Sequence, residues 1–457
     1  MREPDISAAA SSNTGGGPAL ERAVGAPAPA TPIDRALAQL DAWLDTMRGP
    51  RGYGGPVAHW WRQCLLYTGA GLDWRYEGII AGYLALWSRT ADARWLAKAR
   101  RAGDDLILGQ LDSGHYAASA FEENPASAGT PHEAAADAGL LQLALAMRGA
   151  GLPEWQRYAF CAERNLRALY VDQLWDAQAQ SFRDSPAVPS FVPNKAATAC
   201  DALFLLAEAT GDDVWVERYA LPTLRRVVEH QVRGGPLDGA VAQNSFGARV
   251  VEKYFPIYIA RCVPALLSAY AWDGDARFAD AALRAMAFVE RYESGGGAFP
   301  AVVYPGAQHN RFPSWVAPLG DILRAAELLR PYGFAADMRA AEARLLAGQD
   351  ATGGIQTARG FAIQAGGRVP ALPDLRDLLH VAGWCDKAFR YLAGQSGPAL
   401  PSASSQPFAA DCTLAGQTLH YQETASAITV TGRAGVCYRW RKGEPWAHAP
   451  MPAFWIH

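Results

Sequence analysis

The sequence has no run of eighteen apolar residues, so no stretch of it reads as a membrane-spanning helix. It has no basic excess either. The 42 Lys and Arg against 45 Asp and Glu leave a formal net charge of −3, which argues against nucleic acid as the main partner. Cysteine is scarce: Cys64, Cys161, Cys200, Cys262, Cys385, Cys412 and Cys437 lie far apart, odd in number, without a CxxC or a Cys/His metal spacing. That pattern fits reduced thiols filling a core, with no metal site and no cofactor expected. Residues 1–31 are rich in Ala, Gly, Ser and Pro and lack the apolar segment of a signal peptide. They read as a disordered leader, and the expected location is cytoplasmic.

What is abundant is apolar and aromatic surface. Half of the residues are hydrophobic and 19% are charged, enough for a large buried core. The 15 Trp and 17 Tyr suit stacking on sugar rings, and equally the walls of apolar pockets or the filling of a large core. The apolar stretches also recur. Helices that are oily almost all round begin near Trp74, Glu133, Asn194, Glu252, Trp315 and Leu375, spaced 58 to 63 residues apart. Amphipathic partners fall near 34–48, 91–111, 153–175, 212–232, 275–293 and 335–349.

Two helices per repeat, at a period of about sixty residues, signal an array or a closed ring. An open array would leave one flank of each apolar helix in water, so closure is expected. The fold expected over residues 32–394 is an all-α (α/α)6 toroid, with six helices inside and six outside. Loops of about 20–25 residues lead into the inner helices and would emerge on one face, which makes that face the active-site candidate. After a Pro/Ser linker at 395–410, short alternating runs within 411–457 suggest a small antiparallel β-element.

Projecting each inner helix at i, i+4 and i+7 picks out the side chains that face the axis near its start. The second helix, in the stretch Thr130-Pro-His-Glu-Ala-Ala-Ala-Asp137, carries Glu133 and Asp137 one turn apart; the first offers Asp73 and Glu77. Paired carboxylates at a cup mouth suit acid/base cleavage of a glycosidic bond, so these four are the catalytic candidates. The substrate-binding candidates are Asn194, Tyr254, Tyr258, Arg261, Trp315, Arg376 and His380. His309 and Arg311 join them from the loop before the fifth helix, and Trp61 from the first loop. An Arg among them would hold a uronate carboxylate as a bidentate fork.

Structural duties compete for the same residues. Thr130 to Glu133 has the form of a capping box, Asp73 stands where an N-cap belongs, and His380 is equally a core histidine with satisfied nitrogens. Trp60-Trp61 is core as readily as cleft wall. Asp137 lies a turn beyond the reach of capping, and Asp137→Asn is expected to abolish activity with the fold retained.

On this repeat and layout the chain resembles the carbohydrate-active six-hairpin toroids, and within them the unsaturated glucuronyl and rhamnogalacturonyl hydrolases. In that group two aspartates stand at the starts of successive inner helices, the second followed four residues on by an Asn and an apolar run. Here Asp73 and Glu133 lie in comparable places, with Asp137 four residues on, before Gly139-Leu-Leu. Glu for Asp and Asp for Asn depart from the pattern. The resemblance implies a metal-free glycoside hydrolase acting on an oligosaccharide or a uronic-acid-containing glycan. Polysaccharide lyases and sugar epimerases share the architecture and rely on His, Tyr, Arg or Asn at the cup, for which Asn194, Tyr254, His309, Arg311 and His380 are available. Terpenoid-cyclase-like toroids with an aromatic-lined cavity are a third resemblance, although no Asp-x-Asp-Asp motif occurs.

Overall fold

Helix starts follow local chemistry. In the computed structural model, which describes residues 30–58, 64–65, 69–119, 128–363 and 368–445, the first helix α1 (Pro32–Met47) opens on a reciprocal capping box. Thr31 Oγ1 accepts from the Asp34 amide at 3.1 Å, and Asp34 Oδ2 accepts from the Thr31 amide at 2.8 Å. Pro32 occupies the position where a missing N–H costs nothing. The chain continues through α2 (Arg75–Thr90) and α3 (Ala93–Gly109), then α4 (Glu133–Gly149) and α5 (Trp155–Asn165). Next come α6 (Pro193–Thr210) and α7 (Leu221–Glu229), α8 (Pro256–Asp273) and α9 (Ala276–Arg291), and α10 (Leu319–Leu329) and α11 (Arg339–Leu346). A single turn α12 (Leu375–Leu378) and the last helix α13 (Ala382–Gln395) complete the helical body. Wider π-helical segments extend α5 at Leu166–Leu174 and precede α7 at Trp215–Ala220.

The packing order is cyclic. Helices α2, α4, α6, α8, α10 and α13 each pack against the next, and α13 packs against α2. Outside them, α3, α5, α7 and α9 each lie against two consecutive members of that cycle, α1 lies against α13, and α11 against α10. Missing side chains permit the closure. A Cβ at Gly78 of α2 would sit 2.4 Å from the Asp386 carbonyl oxygen, and one at Gly320 of α10 would sit 2.3 Å from that of Lys387. Only glycine lets both backbones come this near to α13.

Three inner helices start later than the periodicity predicts: α8 at Pro256, not Glu252, α10 at Leu319, not Trp315, and α13 at Ala382, not Leu375. The last shift has a local cause. Asp374 caps only one turn, accepting from the Arg376 amide at 2.9 Å while Asp377 Oδ2 accepts from the Asp374 amide at 3.2 Å. The backbone is extended again at Leu379 and Val381 before α13 begins.

Beyond α13, four strands form an antiparallel meander: β1 (Phe408–Leu414), β2 (Gln417–Glu423), β3 (Ala427–Gly432) and β4 (Gly435–Arg441). Glu423, wholly buried, joins this sheet to the helices. It accepts from Trp43 Nε1 at 2.8 Å, from Lys442 Nζ at 2.7 Å and from the Tyr421 hydroxyl at 2.7 Å, and pairs with His380 Nδ1 at 2.8 Å. His380 Nε2 lies 3.0 Å from Asp350 Oδ2. No helix among the described residues is long and apolar enough to cross a membrane.

Candidate active-site cup

The first turns of the inner helices converge on one cup. Trp74 and Glu77 come from α2, Pro131 and His132 from the entry to α4, and Asn194, Lys195 and Thr198 from α6. Tyr258 and Arg261 come from α8, Asp321 from α10, and Trp384 and Lys387 from α13, with Gln243 reaching in from the loop before α8. The rings form a connected wall: Trp74 lies 5.0 Å from Trp384 and meets His132 edge-on at 4.8 Å. The Trp74 indole N–H donates to the Gly383 carbonyl at 2.6 Å, which fixes the ring on the α13 entry. Lys387 Nζ stands 5.4 Å over the Trp74 ring and 2.8 Å from Asp386 Oδ2.

Below the wall is a charged floor drawn from four helices. Glu77 Oε2 takes Arg261 Nη2 at 2.7 Å and Glu77 Oε1 takes Arg390 Nη1 at 2.6 Å. Arg390 Nη2 reaches on to Asp321 Oδ1 at 2.6 Å, and Arg261 Nε donates to Thr198 Oγ1 at 3.1 Å. Burial opposes charge on Glu77, but Arg261 and Arg390 overcome it and hold the carboxyl well below the usual range. Both Glu77 oxygens are therefore occupied. Asp321 has one oxygen bound by Arg390, while its Oδ2 accepts no hydrogen bond among the described residues. Asp386 behaves differently: burial, only partly offset by Lys387, pushes it up to about 7.

Of the residues singled out from the sequence, Glu77, Asn194, Tyr258 and Arg261 meet in this cup. The others have duties elsewhere. Asp73 is buried and bound to Arg75, accepting from its Nε at 2.8 Å and its amide at 3.1 Å. Glu133 is buried under the α4 entry, where Oε1 accepts from the Gly129 amide at 2.7 Å and Oε2 from the Asn165 side chain. Asp137 lies deeper on the same helix; its Oδ1 accepts from the Tyr116 hydroxyl at 2.7 Å, and its buried Oδ2 has no hydrogen-bond partner among the described residues. Burial raises the pKa of both carboxyls, that of Asp137 well above its ordinary value. Neither lines the cup.

Tyr254 is buried in a bridge to Val303, and Trp315 is buried behind Trp384 at 5.5 Å. His309 lies edge-on to Tyr292 at 6.0 Å and Arg311 is exposed, both outside the cup lining. Arg376 Nε is held by Asp374 at 2.6 Å, and His380 is committed to Glu423 and Asp350. Burial opposes a charge on His380, yet the two carboxylates raise its pKa to about 10. Trp61 falls outside the described residues. Among the described residues no three His, Cys, Asp or Glu side chains gather to hold a metal ion.

Sequence reasoning missed His132, Lys195, Gln243, Trp384, Lys387 and Arg390. For three of these the signal was present but misregistered. Counting i, i+4, i+7 from Arg376, the second residue of the expected helix, gives Arg376, His380 and Gly383, whereas the helix that begins at Ala382 presents Trp384, Lys387 and Arg390.

No protein-family model matches the chain, and no curated protein does. Solved structures do match in fold. A cellobiose 2-epimerase from Bacillus thermoamylovorans is 12% identical, with a TM-score of 0.57, over 78% of this chain and 98% of that one. An unsaturated glucuronyl hydrolase specific for heparin is 13% identical, with a TM-score of 0.54, over 79% of this chain and 95% of that one. An alpha-1,6-mannanase from Salegentibacter is 12% identical, with a TM-score of 0.52, over 80% and 99%. The fold is thus similar to that of these solved (α/α)6 toroids.

Proposed function

We propose that the chain is a carbohydrate-active enzyme of the (α/α)6 toroid class, with residues 32–394 as its catalytic domain and a sugar held in the cup for acid–base chemistry. One observation carries this reading: Trp74, Trp384 and Tyr258 line the same cup as Asp321, whose Oδ2 has no hydrogen-bond donor among the described residues. Indole faces suit the apolar faces of a sugar ring, and Asn194, Gln243 and Arg261 suit its hydroxyl or carboxylate groups. The solved structures of like fold carry out hydrolysis or epimerisation, both of them saccharide chemistries.

Glycoside hydrolysis in its commonest form takes two carboxyl groups, one of them protonated. Glu77 is saturated by arginines and held anionic, so it orients Arg261 and Arg390 and is no proton donor. That leaves Asp321 as base and a group of different chemistry, His132, as the acid across the cup. Unlike groups of this kind suit the movement of a proton at a sugar carbon, as in epimerisation. Hydrolysis is the second reading, favoured by the open Oδ2 of Asp321, which suits a nucleophile or a base for water.

Incubation with neutral and uronic-acid oligosaccharides in heavy water distinguishes the two. Proton transfer replaces a carbon-bound hydrogen by deuterium without cleavage, while hydrolysis releases new reducing ends. Asp321→Asn is expected to lower either rate by at least about 100-fold, the usual size of a general acid–base contribution. Unchanged turnover in a folded Asp321→Asn protein would sink the assignment.

A further inference from the structure

The same helices that give their first turns to the cup enclose a second cavity with their C-terminal halves. Residues of α6, α8 and α10 line a basin of about 850 Å³ at the end of the ring away from the cup. Its rim is aromatic. Trp272 and Tyr332 are 39% and 37% exposed, and the Trp272 ring lies 6.1 Å from that of Phe204. Asp201 and Arg324 also line the basin, both half-buried, and among the described residues neither makes a hydrogen bond or an ion pair. A guanidinium with five donors and a carboxylate with open lone pairs are both left to whatever enters.

The charges narrow the choice of ligand. With Glu208 and Asp213, the basin carries three acids against the one Arg324, a surplus of two negative charges that disfavours an anion. Nor are the acids gathered to hold a metal cation: among the described residues no three His, Cys, Asp or Glu side chains cluster in that way. A neutral polyol answers both constraints, because its hydroxyls donate and accept side by side and its ring faces are apolar. Burial, with the Arg390 cation near it, draws Arg324 down to about 10 against the opposing pull of Glu77 and Asp201.

We propose that this basin is a second, non-catalytic binding site for a neutral oligosaccharide, with Trp272 as its stacking platform and the Asp201–Arg324 pair as its polar floor. The proposal rests on the reading of the chain as carbohydrate-active, and its test separates the two. The full chain is titrated calorimetrically with cellohexaose, maltohexaose and an alpha-1,6-mannan oligomer, as wild type, Trp74→Ala, Trp272→Ala and Arg324→Gln.

The expected result is a binding event that survives Trp74→Ala and weakens at least about ten-fold in Trp272→Ala and in Arg324→Gln, as loss of one stacked ring or one polar anchor implies. Turnover in the cup is unchanged in Trp272→Ala, whose exposed ring makes that variant the safer one to fold. Binding lost in Trp74→Ala and untouched in Trp272→Ala overturns the basin and leaves the cup standing. Absence of binding of these neutral glycans in every form overturns the basin and leaves the cup to the turnover assay, which includes uronic-acid oligosaccharides. Trp272-dependent binding of citrate or sulfate, with none of the glycans, overturns the neutral-sugar assignment.

Discussion

Glu423→Gln tests the junction between the helical body and the sheet. The wild-type carboxylate is wholly buried and gathers Trp43, Tyr421, Lys442 and His380. An amide keeps the shape but removes the negative charge that balances two buried cations. Breaking one side of a buried pair usually costs about 3–5 kcal/mol, which is the loss expected here. The pH dependence is a sharper check. Despite burial, Asp350 and Glu423 raise His380 to about 10 from 6.5, so the folded chain keeps a proton that the unfolded chain releases.

The His380 contribution is therefore complete below pH 6.5 and declines by about 1.4 kcal/mol per unit as pH rises toward 10. Glu423 has the opposite sign. Its pKa is lowered from 4.5, burial notwithstanding, by Lys442 and His380, so its contribution is complete above 4.5 and lost as pH falls through the folded value. Urea unfolding followed at about pH 6 and about pH 8.5 should show wild type losing at least roughly 3 kcal/mol between them, the His380 share. Glu423→Gln should be less stable at the lower pH and show a flatter slope. A variant within about 1 kcal/mol of wild type at pH 6, with the slope unchanged, refutes the reasoning.

Two further outcomes follow from the carboxylates of α2 and α4. Asp137→Asn should keep turnover in the cup and change the unfolding free energy in urea by less than about 1 kcal/mol, because the side chain lies off the cup, burial disfavours its charged form, and the amide matches its shape. A complete loss of turnover in that variant would return Asp137 to the catalytic set. Glu77→Gln leaves Arg261 and Arg390 short of their shared anion and should lower stability by about 3–5 kcal/mol in thermal unfolding; an unchanged midpoint would mean the floor is not held by that charge.

Periodicity carried the helix order, because an oily helix must be covered and the apolar spacing repeats along the chain. It carried the cup where a helix start was read to within about one turn: Asn194, Tyr258 and Arg261 lie on helices that begin one residue before and four residues after the expected starts. On the last inner helix the pattern Leu375-Arg-Asp-Leu looks like a helix start and is one, for a single turn. Asp374 and Asp377 cap it so fully that nothing local marks the restart at Ala382. Glu133 and Asp137 lie off the cup for a different reason. Tyr116, the partner of Asp137, stands 21 residues away, and Glu133 adds Asn165, 32 residues away, to the local Gly129 amide, so a local pattern shows only part of what holds them.

A carboxylate at an inner-helix start also has a third role, beyond capping or catalysis, and Glu77 fills it. Arg390 on α13 reaches both Glu77 on α2 and Asp321 on α10, so its fork is complete only when the last inner helix has docked between the first and the fifth. Gly78 and Gly320 set how near those backbones come. The orientation of Asp321 in the cup lining is thus a consequence of ring closure. His380 stands just ahead of α13 and is bound to Glu423 of the sheet, which ties the docking of that helix to the C-terminal strands. By this chain of contacts the sheet supports the cup without lining it, and Asp321 depends for its position on residues more than a hundred positions further along the sequence.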